Sequence, residues 1–381
     1  MNEIVLRGIT WAHRRAIDPL IAALPGFREE HPETMVEWSS RPLAGFEFQP
    51  IDELAAAYDL IVFDHPFAGE IARLGCLEPL DDVIGRGRES AFVGPTLESY
   101  RYAGRLWAAP LDAACQVSVH RPDLLSRRGE APPQSWPEML ALGARLAPHG
   151  LRLAIAFAGV HGLMTFFSLC GNLGRPCGGD PDGPFIDVET ARIALKAMRR
   201  LLDFAPTEAL DWNSIALQDA MAARDDLVFC PAVYGFAAYA EDDAKHPLAF
   251  RDFAGLRAPY SAGSTLGGAG LGVSASCAER ETAFAYVRYL LRADTQCGFA
   301  AHHGQPARLE TWDDGPTNAR LRGFYRDTRA SLENAWIRPR YDGYLRFQSE
   351  AGDLIEQYLR GHLAEQPLLI RLEELHEGAR G

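Results

Sequence analysis

The chain has few clustered cations and no long apolar run. It carries 38 Lys and Arg against 51 Asp and Glu, for a net charge of −13. Arg14–Arg15 and Arg199–Arg200 are pairs, not patches. A surface that follows nucleic-acid phosphates needs clustered positive charge, so the composition argues against a general nucleic-acid binder. No run of about 20 apolar residues occurs, so no membrane-spanning helix is expected.

Several motifs of known chemistry are also missing. The stretch 267–270 is rich in glycine but lacks the Lys-Ser/Thr of a P-loop, and neither GxSxG nor HExxH occurs. His302 and His303 are adjacent, so their side chains point apart, and no carboxylate or cysteine stands at ligand spacing. The sequence therefore predicts no metal site and no cofactor. Carboxylates are abundant, but nothing singles out a glycosidase pair.

The seven cysteines are scattered and form no CxxC motif. Such a set is typical of small buried apolar residues, not of a disulfide framework or a zinc site. Cys170 and Cys177 are near enough in sequence to close a small loop, and the sequence leaves that bond open. Free thiols favour a reduced compartment. The first six residues lack a basic region followed by an apolar core, so no signal peptide is predicted.

The length and pattern of the chain predict two α/β domains. A chain of 381 residues is longer than one core usually serves. Strands are expected at 4–9, 35–38 and 60–63, with helices starting at Asp18 and at Ile51 between them. This alternation is typical of a parallel sheet with helices on its faces. Ligands bind such sheets at the carboxyl ends of the strands.

A resemblance to a known family becomes specific in the stretch Ser99–Leu125. It contains a tight turn, a short apolar run broken by Pro110 and an alternating strand, and it is similar to the hinge region of extracellular solute-binding proteins of carbohydrate ABC importers. These are the maltose-binding-like, type II periplasmic binding proteins (extracellular solute-binding protein family 1). Four further segments resemble the family in the right order: 75–82, 132–140, 216–234 and 266–312.

The resemblance implies a fold of two lobes, each a mixed sheet flanked by helices, with the ligand cleft between the lobes. Lobe one would comprise 1–110 and 264–312, and lobe two would comprise 113–260 and the C-terminal helices of 317–381. The implied function is to bind a small polar solute, a sugar or a sugar derivative, and to deliver it to the transmembrane permease of an importer. A monomer without enzymatic activity is expected. The family implies a periplasmic location, whereas the thiols and the N-terminus favour the cytoplasm.

Two polar or aromatic pairs follow predicted strands and are candidates for ligand binding. Trp11 could stack on the apolar face of a sugar while His13 bonds its hydroxyls; alternatively, Trp11 belongs to the core and His13 caps a helix. Asp64 and His65 follow a buried strand, and Asp64 could instead cap the next helix.

Further candidates come from the hinge and from the second lobe. Asp112 would face the ligand at the hinge or else satisfy its own turn. Tyr234 is near the position where the family carries a stacking aromatic, but the local pattern departs from the family's, and a core tyrosine is an equal alternative. The remaining candidates are Arg41, Trp212, Gly235, Gly267, Gly268, Arg308 and Arg340. The arginines leave room for a carboxylated or phosphorylated ligand.

Two alternatives come from other functional classes. One is a cytoplasmic sensor without a leader, which would bind a metabolite and report to a protein partner. The other is an enzyme on this scaffold, similar to thiaminases, which would need a reactive thiolate. Of the seven cysteines, Cys115 is the one near the predicted hinge.

Overall fold

The chain divides into two compact units in a computed structural model that describes residues 3–85, 87, 89–179, 183–241 and 245–380. The first unit contains Met1–Ala114, Gly267–Thr317 and Arg340–Leu345, and the second contains Cys115–Leu266, Asn318–Pro339 and Arg346–Gly381. The sequence assigned all of 317–381 to the second lobe. Residues 340–345 differ from that expectation because they pack on the first unit: the carbonyl of Arg340 would lie 2.0 Å from a Cβ added at Gly69.

The described residues form ten strands and seventeen α-helices. The strands are β1 (Ile4–Trp11), β2 (Thr34–Arg41), β3 (Leu60–Phe63), β4 (Arg101–Tyr102), β5 (Arg105–Leu106), β6 (Ala109–His120), β7 (Arg152–Leu153), β8 (Leu227–Tyr234), β9 (Ala249–Arg251) and β10 (Leu266–Val273). The helices are α1 (Arg14–Glu30), α2 (Leu43–Phe48), α3 (Ile51–Ala57), α4 (Ala68–Leu74), α5 (Asp81–Ile84), α6 (Pro122–Ser126), α7 (Trp136–Leu146), α8 (Val160–Asn172), α9 (Val188–Leu202), α10 (Ser214–Ala223), α11 (Arg280–Leu290), α12 (Ala293–Ala301), α13 (Leu309–Asp313), α14 (Gly315–Arg320), α15 (Phe324–Glu333), α16 (Tyr344–Leu359) and α17 (Glu365–Arg380). None of these helices combines the length and the apolar character that crossing a membrane requires.

The first unit is built on a mixed sheet. β1 pairs in parallel with β2 on one side and with β3 on the other, and β10 runs antiparallel to β3. All four side chains of β3 are buried, as expected for a strand covered on both faces. The three parallel strands therefore end at one edge, which positions the residues that follow them.

The helix after β1 begins earlier than the sequence suggested. α1 starts at Arg14, and the Nδ1 of His13 accepts the amide of Arg15 at 3.1 Å as an N-cap. The predicted start at Asp18 was wrong, because Pro19 lies inside the helix and its ring is buried. The helix-capping role that the sequence offered for His13 is present.

The second unit has a smaller mixed sheet covered by helices. The part of β6 from Gln116 onward runs antiparallel to both β8 and β9, while β7 runs parallel to β8. The strand predicted at 153–157 is shorter than expected, because pairing ends at Leu153 and the chain turns at Gly159, whose φ is 53°, into α8. Every residue of β8 up to Val233 is buried, so this strand forms the centre of the second core.

Candidate functional site

The carboxyl ends of the three parallel strands of the first unit bring several predicted residues to one edge. Trp11 and Arg41 are the last residues of β1 and β2 and are paired directly in register. β3 ends at Phe63, one residue before Asp64. The structure thus gathers side chains that lie up to about fifty positions apart in sequence, as the alternation of strands and helices indicated.

Trp11 and His13 form a stacked aromatic pair at this edge. Their ring centroids are 5.3 Å apart and their planes differ by 15°. The indole is buried and its other neighbours include Phe46, at 5.8 Å between centroids, and the guanidinium of Arg15, at 6.0 Å from the ring. The imidazole is only partly buried, so it is the more accessible ring of the pair.

His13 is held in its neutral form. Burial, with help from the positive charges of Arg15 and Arg14, lowers its pKa from 6.5 to about 4. Because Nδ1 accepts the amide of Arg15, a neutral ring carries its proton on Nε2. The ring therefore presents an uncharged N–H donor at neutral pH.

Asp112 is bound by a residue that the sequence did not single out. Nε of Arg15 donates to Oδ2 of Asp112 at 2.7 Å, and Nη2 donates to Oδ1 at 2.5 Å. The two side chains are only 4% and 13% exposed. A buried, bidentate pair of this kind commits most of the carboxylate's acceptor capacity to the fold. Ninety-seven positions separate the two residues, so their spacing in the sequence did not indicate the pair. The one available signal was the position of Arg15, just after a Trp and a His at a strand end.

A narrow cavity lies beside this ion pair within the first unit. Its lining includes Trp11, Arg15, Asp112 and Gln305. Its volume of about 20 Å³ suffices for one water-sized group. The cavity can therefore take a water molecule or one hydroxyl, but not a whole sugar ring.

Arg41 is buried and has no carboxylate partner among the residues that the structure describes. Its side chain is 6% exposed, and Nη2 donates to the carbonyl of Val62 at 3.1 Å. Its Nε and Nη1 have no hydrogen-bond acceptor among the described residues. The ring of Phe46 lies 5.7 Å from the guanidinium carbon. Burial lowers the pKa of Arg41 to about 10, which still leaves it charged at neutral pH.

Asp64 and His65 interact chiefly with each other and with the first unit's interior. Oδ1 of Asp64 accepts the amide of His65 at 2.8 Å and caps the short 3-10 turn His65–Phe67. The imidazole of His65 is fully buried, with Tyr100 edge-on at 6.3 Å between centroids. This is the capping alternative for Asp64, and it leaves the carboxylate one-fifth exposed.

The other candidates of the first unit lie away from the Trp11–His13 stack or act through their backbone. Arg308 pairs with Glu310, its Nε donating at 3.0 Å. Arg340 donates from Nη1 to the carbonyls of Glu98 and Ser99, each at 3.0 Å, and burial lowers its pKa. Gly267 and Gly268 begin the first unit's part of β10.

Gly268 marks a close approach of two backbones. Its φ is 111°, and an added Cβ would lie 2.4 Å from the carbonyl oxygen of Asp112. A side chain at this position is excluded by both strain and space. The glycine thus lets β10 run against the strand segment that carries Asp112.

Three candidates belong to the second unit. Tyr234 ends β8 opposite Gln116 and is partly buried. Gly235 has no room for a side chain, since a Cβ would lie 2.8 Å from Val117. Trp212 is the third candidate, and its ring lies 5.7 Å from the guanidinium carbon of Arg224. Each has a packing role within its own unit.

Cys115 has the surroundings of a core residue. The thiol is buried, and burial raises its pKa from 9.0 to about 12. A reactive cysteine needs the opposite shift, toward a thiolate at neutral pH. The environment of Cys115 therefore opposes the enzyme alternative.

Comparison with known sequences identifies the family. The profile of the bacterial extracellular solute-binding proteins matches residues 51–310, which is more than half of the chain. The chain belongs to this family. The resemblance inferred from five short segments is thereby confirmed. The family is described as one of bacterial extracellular solute-binding proteins.

Solved structures of this kind share the fold of the solute-binding protein over nearly its whole length. Maltose-bound MalE3 of T. maritima is 19% identical, with a TM-score of 0.84 over 98% of this chain and 99% of that one. The GacH receptor of Streptomyces glaucescens is 17% identical, with a TM-score of 0.82 over 100% and 99%. An ABC transporter solute-binding protein of Thermotoga lettingae, bound with α-D-tagatose, is 15% identical, with a TM-score of 0.84 over 100% of both chains. The predicted type II periplasmic binding protein fold is confirmed.

Proposed function

We propose that this protein binds a sugar, a polyol or a derivative of one and delivers it to the permease of an ABC importer. Membership of the solute-binding family supports the transport role. The structural relatives were solved with maltose, with tagatose and with D-mannitol, which supports the ligand class. The observation that carries the proposal is the Trp11–His13 stack at the carboxyl edge of the first unit's sheet.

The stack suits the two surfaces of a carbohydrate. The C–H face of a sugar ring is apolar and packs on an aromatic ring, while its hydroxyls need directed donors and acceptors. The half-buried imidazole of His13 supplies both, a ring face and an Nε2 donor. The stacked indole of Trp11 holds the imidazole in place, and the bond from the amide of Arg15 to Nδ1 fixes the tautomer of the imidazole. The cavity next to Asp112 has room for one protruding hydroxyl.

Binding without covalent chemistry is the mode of action that we propose. The raised pKa of Cys115 supports it, because a buried neutral thiol is a poor nucleophile. We further propose a monomer that works outside the cytoplasm, in keeping with the family's description. Light scattering of the purified protein and fractionation of the source cells test these two points.

A thermal-shift screen of neutral sugars and polyols tests the binding function. A ligand that binds the native state alone adds roughly 2.7 kcal/mol of stability at 100 times its dissociation constant. His13→Ala and Trp11→Ala should each weaken binding at least tenfold. Trp38→Phe is the matched control, because Trp38 lies within β2, away from the strand ends, and its Nε1 donates to Tyr286.

Different results of this screen test the location of the site and the binding function. Each variant is compared with its own unliganded melting point, so that lost packing does not count as lost binding. A ligand that binds the wild type, the Trp38→Phe variant and both strand-end variants equally would refute this location of the site. The absence of any shift with neutral or acidic sugars, polyols and amino acids would overturn the solute-binding proposal itself. The stimulation of the permease's ATPase by ligand-loaded protein then tests delivery.

A further inference from the structure

The guanidinium of Arg41 is unusual among the buried arginines of this chain. Four arginines are buried in the described residues: Arg15, Arg41, Arg121 and Arg338. Arg15 and Arg121 bind carboxylates, and Arg338 binds the side-chain oxygen of Gln348 at 2.9 Å. Arg41 alone in this set has a single backbone carbonyl as its hydrogen-bond partner.

Such an arrangement is costly in the absence of an additional acceptor. A buried charge is tolerated when its donors are satisfied, and a guanidinium has five N–H groups to satisfy. Nε and Nη1 of Arg41 are buried and have no acceptor within the described part of the chain. The face of Phe46 compensates only in part.

The position of Arg41 is that of a ligand-binding residue. It ends β2 directly beside Trp11, and its Nη2 reaches across β1 to the carbonyl of Val62 in β3. The guanidinium therefore lies at the carboxyl ends of all three parallel strands, where open α/β sheets bind their ligands. The fold holds a cation at the edge that carries the proposed sugar platform.

We propose that the unsatisfied Nε and Nη1 of Arg41 bind an anionic group of the solute, so that the transported molecule is a carboxylated or phosphorylated sugar or polyol. This inference rests on the proposed solute-binding function and narrows its ligand class. A guanidinium recognises both carboxylates and phosphates through charge-assisted hydrogen bonds. The protein has a net charge of −13, so its overall charge would repel an anionic ligand. Binding of such a ligand therefore requires a local positive group.

A short helix covers part of the Arg41 side chain. The ring of Phe46 belongs to α2, a helix of six residues without a side-chain cap at its start. Phe48, at the end of this helix, is 41% exposed. A displacement of α2 would give an anion access to Nε and Nη1.

Matched pairs of ligands test the inference on the full chain. Each pair differs in one anionic group: glucose with glucuronate, galactose with galacturonate, mannitol with mannonate, and glucose with glucose 6-phosphate. We expect the acidic member of at least one pair to bind about 10- to 100-fold more tightly. The carboxylated and phosphorylated members distinguish the two sources of negative charge. The preference should persist in 0.5 M salt, because buried pairs are screened little.

Variants assign the preference to Arg41. Arg41→Met should remove the acidic preference, and Arg41→Lys should restore part of it. Arg292→Met is the control for net charge, because Arg292 forms an exposed pair with Glu30 in the same unit. Arg41→Met should also fold, since an apolar chain of similar length replaces an unsatisfied cation.

The results that overturn the inference differ from those that overturn the proposed function. Neutral sugars that bind as well as acidic ones, equally in wild type and in Arg41→Met, would refute the anion site and leave solute binding intact. If no member of any pair binds, inorganic phosphate and acetate are titrated at constant ionic strength. The absence of any difference between wild type and Arg41→Met in those titrations would overturn the anion site independently of the sugar.

Discussion

Arg121 in the second unit and Arg41 in the first are both buried arginines, but their surroundings differ. The guanidinium of Arg121 donates to both oxygens of Asp123, at 2.8 and 2.9 Å, and to the carbonyls of Met221 and Arg224. Among the described residues, the guanidinium of Arg41 donates to one carbonyl, that of Val62. Burial alone therefore does not distinguish an arginine that stabilises the fold from one that can bind a ligand. The two kinds differ in the number of acceptors around the guanidinium.

The largest effect should follow from removing the acceptors of a satisfied arginine. Asp112→Ala would remove the two carboxylate oxygens that accept from the buried guanidinium of Arg15. Breaking a buried pair by removing one partner costs roughly 3–5 kcal/mol of unfolding free energy. Urea denaturation should show a loss in that range, and the double variant Arg15→Met with Asp112→Ala should recover a large part of it. A loss below about 1 kcal/mol in the single variant would contradict the importance of the pair.

A smaller loss is expected when the satisfied arginine itself is replaced. Arg121→Met leaves two carbonyls without their donor and should lower the unfolding free energy by about 3 kcal/mol. The matched change Arg41→Met should alter it by less than about 1 kcal/mol in either direction, because it removes an unsatisfied charge. Urea denaturation of the two variants side by side measures this difference. Equal losses would mean that Arg41 is as structural as Arg121.

We expect two histidines with lowered pKa values to contribute differently to the loss of stability in acid. His161 is buried, with the hydroxyl of Ser214 at 3.1 Å from Nδ1, and burial lowers its pKa from 6.5 to about 4. The unfolded chain then binds more protons than the folded one below pH 6.5, so stability is complete above pH 6.5 and is lost as the pH falls toward 4. We expect this histidine to account for about 2 kcal/mol of the loss at pH 5.

The variant His161→Gln isolates that contribution. Its unfolding free energy should fall less between pH 7 and pH 5 than that of the wild type, by about 2 kcal/mol. His13 has a similarly lowered pKa but is only partly buried, so His13→Gln should show a smaller difference. A wild type and a His161→Gln variant with the same pH dependence would contradict the burial of a neutral imidazole.

Much of the first unit's sheet was predictable from local pattern. The apolar run of β3 and the alternation of strands and helices predicted three parallel strands, and their shared carboxyl edge followed from topology. Trp11 was predicted as either a platform or a core residue, and it is buried against His13, which makes the imidazole the more accessible ring. Topology gives the edge of a sheet, whereas the packing of side chains decides which ring is accessible.

The ion pair and the start of α1 could not be predicted because they depend on tertiary contacts. Nothing near Arg15 in sequence indicates that its partner is Asp112. Asp18 followed by Pro19 has the composition of a helix start, yet the ring of His13 caps the helix five residues earlier. Arg41 was predicted only as a weak candidate, since its missing acceptors are a property of the folded neighbourhood and leave no trace in composition.

The order in which the chain contributes segments to its two units limits which fragments of the protein can be expressed as a complete unit. Each unit is assembled from three separate stretches, and the chain leaves the first unit after Ala114, in the middle of β6. A fragment that stops at Leu266 would lack nearly all of β10, the antiparallel neighbour of β3. It would also lack α16 and α17. Neither unit can therefore be expressed from one continuous piece of the coding sequence, and mapping the ligand to a unit requires point variants in the intact chain.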